Sequence, residues 1–178
     1  MTEFVVLVTP EDDVLGLMEK QQAHVEGVLH RAFSVFIFNA QGEMLLQQRA
    51  AHKYHSPQLW TNACCSHPRE HESYEQAAHR RLHEELGFDC PLSHQFHFIY
   101  KAEFENGLTE HELDHVFFGT FDGNIVPNPD EVMAYKWILP QDLRDDVHQH
   151  PDNYTAWFKI ILDMHPQLLN NPVTSSKD

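Results

Sequence analysis

The chain has 178 residues, enough for one domain with a buried core, and its 42% hydrophobic and 11% aromatic content excludes disorder as a description of the whole. A formal net charge of −15 argues against a nucleic-acid partner, because a phosphate backbone calls for clustered Lys and Arg. No apolar run approaches the roughly 18 residues of a membrane span, so no membrane association is expected.

The sequence opens Met-Thr-Glu-Phe and reaches Glu11-Asp12-Asp13 after a short apolar stretch, without the basic start and long apolar core of a secretory signal. Phe4 to Val8 is β-branched and predicts a strand. Phe33–Phe38 and Glu43–Gln48 flank Asn39-Ala40-Gln41-Gly42, a hairpin signature in which glycine supplies a positive φ. Three cysteines, with Cys64 beside Cys65, make no disulfide framework, and a reducing cytoplasmic location is expected.

Ser73 with Gln76 reads as a capping box and Gly87 as the helix stop, with Ala77, Leu82 and Leu86 facing inward. Phe96–Phe104 predicts a strand that turns at Asn106-Gly107 and returns as Val116–Phe121. Val132–Ile138 predicts another strand, Pro140 opens a helix running to His148, and Tyr154–Leu162 reads as an amphipathic helix. There is no repeat, linker or low-complexity block. One mixed domain over 1–169 is expected, with 170–178 as a flexible tail.

Chemistry gathers between Trp60 and Phe88. Cys65 and His67 precede a helix carrying Arg80-Arg81 and Glu84-Glu85, while Arg49, Lys53 and Arg69 lie near in sequence. Positive charge collected in an acidic chain fits a small anion, and ordinary surface charge accounts for it equally well. On a helix Arg81 and Glu85 share a face, as do Arg80 and Glu84. Glu85 can therefore offer oxygen to Mg²⁺, and a solvated, salt-bridged face is the plain alternative. In an extended segment Glu110 and Glu112 point the same way, leaving His111 on the other side. With His24, His30 and His67 they would make a nitrogen–oxygen site suited to Zn²⁺, Mn²⁺ or Mg²⁺. Taken alone, Cys65 could be an inert buried thiol, and Trp157 could be plain helix core. Cys64 is expected to be structural, because neighbours in an extended chain point oppositely.

Glu72, Arg80, Leu82, Glu84, Glu85, Gly87 and Phe88 resemble the Nudix box, with Ser66 in place of its opening glycine and Arg81 in place of the glutamate after the arginine. Exchanging a carboxylate for a guanidinium removes a metal ligand and adds a diphosphate clamp, which points away from hydrolysis. Lys20 to His24, His30 to Phe38, Arg49 to Lys53, Trp60 to Pro68, Tyr100, Glu110 to Glu112, Asp130 to Val132 and Trp157 extend the likeness. Together they resemble the type I isopentenyl diphosphate isomerases, a branch of the Nudix fold.

That resemblance implies an α/β (α+β) domain, an α/β/α sandwich with a mixed central sheet, that interconverts isopentenyl and dimethylallyl diphosphate through a tertiary carbocation. It implies Cys65 and Glu112 as the acid–base pair, Tyr100 beside the Glu112 carboxyl, and Trp157 offering a π face. His24, His30, His67, Glu110 and Glu112 would hold one divalent metal (Mn²⁺, Zn²⁺ or Mg²⁺), and Glu85 a Mg²⁺ bridging the diphosphate. Lys20, Arg49, Lys53 and Arg81 would contact the diphosphate. The expected partner is a small-molecule diphosphate, and a monomer or weak homodimer is expected. A Nudix pyrophosphohydrolase acting on a nucleoside diphosphate derivative is the alternative.

Overall fold

The computed structural model describes residues 2–53, 55–104 and 106–169; the expected tail over 170–178 lies outside them. Strand β1 (Phe4–Val8) turns back on β2 (Val14–Glu19), and helix α1 (Lys20–Glu26) leads into β3 (His30–Phe38). Strands β4 (Met44–Arg49), β5 (Trp60–Asn62) and β6 (Cys64–Ser66) precede helix α2 (Tyr74–Leu86). A long hairpin of β7 (Leu92–Glu103) and β8 (Thr109–Thr120) follows, then β9 (Val132–Ile138), α3 (Pro140–Gln149) and α4 (Ala156–Met164). Among the described residues no helix is long and apolar enough to cross a membrane.

Strand β3 is the spine of a mixed sheet. It runs parallel to β8 from His30↔Glu112 to Phe38↔Thr120, and antiparallel to β6 from Phe33↔Ser66 to Val35↔Cys64. Both faces of β3 are covered, which explains its nearly unbroken apolar sequence. Phe33, Val35 and Ile37 pack with Ala77, Ala78, Leu82 and Leu86 of α2. Phe36 and Phe38 pack on the other face with Trp157, Phe158 and Ile161 of α4. Helix, sheet and helix therefore stack as the expected α/β/α sandwich.

Helix α2 has the expected boundaries. Ser73 accepts from Gln76 N at 3.0 Å while the Gln76 side chain accepts from Ser73 N at 3.0 Å. Gly87 closes the helix at φ 69°, and a Cβ there would meet Val126 O at 2.5 Å. Two independent constraints therefore exclude a side chain at this position.

Four further elements, β2, α1, β5 and β6, are not among those the sequence predicts. Each is short or lacks a clear period. Helix α1 spans seven residues, capped by Glu19, whose carboxylate accepts from Gln21 N at 3.1 Å and Gln22 N at 2.9 Å. The hairpin expected from Phe33–Phe38 and Glu43–Gln48 keeps its turn, with Gly42 at φ 79°, but pairs β3 with β4 only at Phe38↔Met44. Strand β6 takes the next positions along β3, and β4 instead pairs with β5 and β9. The return strand expected from Val116 begins at Thr109, so Glu110 and Glu112 belong to a regular ladder. Tyr154 lies outside α4: it bridges to Trp60, and Thr155 caps the helix by accepting from Phe158 N at 3.3 Å.

Gly87→Ala should lower stability by more than about 1 kcal/mol, because it adds a clash to an unfavourable φ. Urea denaturation checks this; an unchanged midpoint would contradict the close approach of Val126.

Candidate active site

Strand alternation lays Glu110, Glu112 and Asp114 of β8 on one face, and Tyr100 of β7 stands opposite Glu112 in the ladder. The Tyr100 hydroxyl lies 2.9 Å from Glu112 Oε1, to which it donates, and 3.1 Å from Glu110 Oε2. His30 is the β3 partner of Glu112, with Nε2 3.9 Å from Glu112 Oε2; His67 Nε2 approaches the same oxygen at 3.4 Å. His24 comes from α1, its ring centroid 5.4 Å from that of His30 and 5.9 Å from that of His67. The ligating nitrogens of these three imidazoles lie within 4.8 Å of one another.

The cluster fits a divalent cation. His30 Nδ1 donates to Val28 O at 2.9 Å, which leaves the Nε2 lone pair directed into the cluster. The Nε2 atoms of His30 and His67 are buried without a hydrogen-bond partner, an arrangement that costs free energy unless a cation or proton meets them. Burial lowers His24, His30 and His67 to about 3, and the mutual repulsion of the rings adds to the shift at His24 and His30. Burial raises Glu112 to about 7, and burial followed by the Glu112 charge pushes Glu110 well above the carboxylate range. Neutral imidazoles beside proton-bearing carboxyls are ready to exchange protons for a metal ion.

Cys65 stands opposite Ser34 where β6 pairs with β3. Its Sγ donates to Asn62 Oδ1 at 3.0 Å and lies 3.5 Å from Ser34 Oγ, which donates to Asp114 Oδ2 at 2.8 Å. Burial pushes the Cys65 thiol well above its ordinary range, and the Asp114 carboxylate adds to the shift. Cys64 points into the opposite core, as expected, and its Sγ donates to Glu85 Oε2 at 2.7 Å.

Cys65 and Glu112 line the same cavity of about 140 Å³, together with Tyr100, Trp157, His24 and His67. Its other lining residues include Lys20, Arg49, Lys53, Arg81, Glu85 and Glu110, so His30 alone among the expected site residues stands behind the wall. A second cavity of about 350 Å³ shares Lys20, Lys53, Ser66, His67 and Arg81 and adds Arg69 and Arg80. The carboxylate–thiol chamber thus meets a basic wall. Within that wall Arg81 contacts Glu85 Oε1 at 3.6 Å and Glu131 Oε2 at 3.3 Å, and Lys53 also pairs with Glu131. Arg80 is occupied structurally: its guanidinium holds Glu72 at 2.7 and 2.9 Å and Glu84 at 2.8 Å, tying α2 to the preceding turn. Trp157 is both core and cavity wall, with the Arg49 guanidinium 5.1 Å above its ring and His55 meeting it edge-on.

Three further residues stand at the site without a clear mark in the sequence motifs. Asp114 extends the alternation Glu110-x-Glu112-x-Asp114, a signal that was present. Ser34 shares a face with His30, visible only once β3 is known to begin at His30. His55 Nε2 lies 3.7 Å from Glu110 Oε1 and its ring stacks on Phe104, but it sits outside any strand or helix and no pattern marked it.

Comparison with known proteins fits this geometry. A model of the NUDIX domain family matches residues 28–158. An isopentenyl-diphosphate Delta-isomerase 2 from Photorhabdus laumondii is 53% identical over 163 residues, covering 92% of each chain. An isopentenyl-diphosphate Delta-isomerase from Pectobacterium atrosepticum is 50% identical over 156 residues, covering 88% of this chain and 87% of the relative. Solved structures share the fold at lower identity: a Deinococcus radiodurans protein superposes with TM-score 0.75 at 18% identity, covering 92% of this chain and 99% of that one. A MutT protein from Methanosarcina mazei gives 0.62 at 16% identity, covering 78% and 94%. The chain belongs to the NUDIX family and, within it, to the isopentenyl-diphosphate Delta-isomerases.

Proposed function

We propose that the chain interconverts isopentenyl diphosphate and dimethylallyl diphosphate, with Cys65 and Glu112 as the two proton-transfer groups. The observation that carries these roles is that both side chains line one small cavity whose neighbouring wall is cationic. One group delivers a proton to the terminal alkene carbon, and positive charge develops on the adjacent tertiary carbon. The other removes a proton from the carbon between that centre and the diphosphate-bearing carbon. Atoms and charge balance, and the double bond has moved by one position.

Each side chain has a task in this scheme. Tyr100 orients the Glu112 carboxyl through its 2.9 Å hydrogen bond. Asn62 and Ser34 fix the thiol of Cys65 toward the chamber. Trp157 presents an aromatic wall, where a desolvated cation gains roughly 0.5 to 2 kcal/mol. The enclosed space keeps out water that would capture the cation as an alcohol. Lys20, Arg49, Lys53 and Arg81 grip the diphosphate, and this remote binding energy offsets the cost of placing an alkene against a buried acid.

His24, His30, His67, Glu110 and Glu112 would hold one divalent ion, Mn²⁺, Zn²⁺ or Mg²⁺, and Glu85, oriented by the Cys64 thiol, would hold a Mg²⁺ beside the diphosphate. When bound, such ions supply positive charge that lowers the proton affinity of the Glu110 and Glu112 carboxyls and neutralises the diphosphate. Arg81 separates this reading from pyrophosphate hydrolysis. It places a guanidinium, paired with Glu85 and Glu131, where the box pattern has a further carboxylate.

Cys65→Ala and Glu112→Gln should each slow isomerisation by at least about 100-fold while the fold persists. Proton NMR of isopentenyl diphosphate in D₂O measures this, and near-wild-type exchange in either variant would remove that residue from the reaction. Phosphate release from nucleoside diphosphate derivatives, without deuterium exchange, would favour the hydrolase instead.

Metal binding should release protons as pH falls below about 7, because a proton on Glu112 must then be displaced; apparent Mn²⁺ affinity should drop accordingly. Calorimetric titration of chelated protein in buffers of different ionisation enthalpy checks the sign. Full activity in thoroughly chelated protein would exclude the His/Glu cluster from the mechanism.

A further inference from the structure

The face of the β7–β8 hairpin turned away from Tyr100 and Glu112 carries a second group of imidazoles. His97 stands opposite His115 in the ladder, and His94 opposite Phe117. In an unbroken strand residues 94 and 97 would point to opposite faces. The register shift between His94 and Phe96 inserts Gln95 as an extra residue and restores the phase. All three rings therefore share one face: His94 and His97 each lie 5.0 Å from His115 between centroids, and the ligating nitrogens of the three lie within 4.8 Å of one another.

His115 is held from two sides. Tyr74 of α2 stacks on it at 3.8 Å between ring centroids, and its Nε2, buried and without a hydrogen-bond partner, lies 3.7 Å from Asp12 Oδ2. The other oxygen of Asp12 accepts from Arg31 Nε at 2.9 Å and from the Tyr74 hydroxyl at 2.8 Å, so the carboxylate itself is fixed. A carboxylate behind one ring nitrogen leaves the other nitrogen to face a metal. Here that other atom is Nδ1, now 2.8 Å from His94 Nε2. Ligation by Zn²⁺ at about 2.0–2.1 Å would set such nitrogens about 3.3 Å apart. The exposed rings of His94 and His97 can make that adjustment by rotation.

We propose that His94, His97 and His115, with Asp12 behind His115, form a site for one divalent transition-metal ion such as Zn²⁺, separate from the His24, His30 and His67 cluster. Its three imidazoles and lack of a direct carboxylate ligand suit a borderline ion better than Mg²⁺ or Ca²⁺.

The test is zinc stoichiometry. Metal-stripped full chain, dialysed against Zn²⁺ near neutral pH, should retain about one equivalent more than the His94→Ala/His97→Ala double variant, by elemental analysis. Isomerisation should be the same in both proteins, since neither ring lines the active cavity. Asp12→Asn, which the left-handed backbone at φ 68° accommodates, should weaken the extra equivalent by about 10- to 100-fold. Equal zinc content in wild type and double variant overturns the site, and an unchanged affinity in Asp12→Asn removes Asp12 from it.

Discussion

The parallel register of β3 against β8 is the constraint on which the site depends. It sets His30 beside Glu112 and brings Ser34 within 2.8 Å of Asp114. On the other edge of β3, β6 runs antiparallel to it and places Cys65 against Ser34. A slip of one residue would turn every one of these side chains to the opposite face. The two apolar layers prevent that slip: Phe33, Val35 and Ile37 must meet α2, while Phe36 and Phe38 must meet α4. Packing of phenylalanines thus fixes the position of a carboxylate, an imidazole and a thiol.

The electrostatics follow from enclosure. Three imidazoles and two carboxyls share a buried pocket in which neither kind of group carries its usual charge comfortably. Burial favours the neutral form of the imidazoles and raises the proton affinity of the carboxyls, so the pocket holds less charge than its groups would in water. Beside this lies a wall rich in Lys and Arg in an otherwise acidic protein of net charge −15. Several of those cations already have carboxylate partners, as in Lys20 with Glu3 and Arg81 with Glu131. Such pairs hold long side chains in place, and under the proposed function a diphosphate would compete with their carboxylates for the same charge.

Helix α2 shows how one element divides its work among faces. Leu82 and Leu86 serve the core, Arg80, held by Glu84 on the same helix, grips Glu72 in the turn before it, and Arg81 with Glu85 reaches the cavity. The adjacent cysteines divide likewise: Cys65 faces the chamber and Cys64 holds Glu85 from the opposite core. The β7–β8 hairpin repeats the pattern at larger scale, with Tyr100 and the acidic residues on one side and the other imidazole group on the other.

Elements with strong local chemistry are legible in the order of residues alone. The Ser73–Gln76 box and Gly87 bounded α2, Asn106-Gly107 set the long hairpin, and period-two spacing put Glu110 and Glu112 on one face. The expected site residues rest on motifs ordered along the chain, and one cavity gathers all but His30 on its lining. Short elements without a period, such as α1 and β6, left no such trace, although they carry His24 and Cys65. Tertiary structure alone decided that β6 displaces β4 along β3, that His55 joins Glu110 from a loop, and that a bulge at Gln95 turns His94 and His97 the same way. These outcomes depend on pairing between distant segments, and a local pattern of side chains records the face a residue prefers but not the strand it will meet.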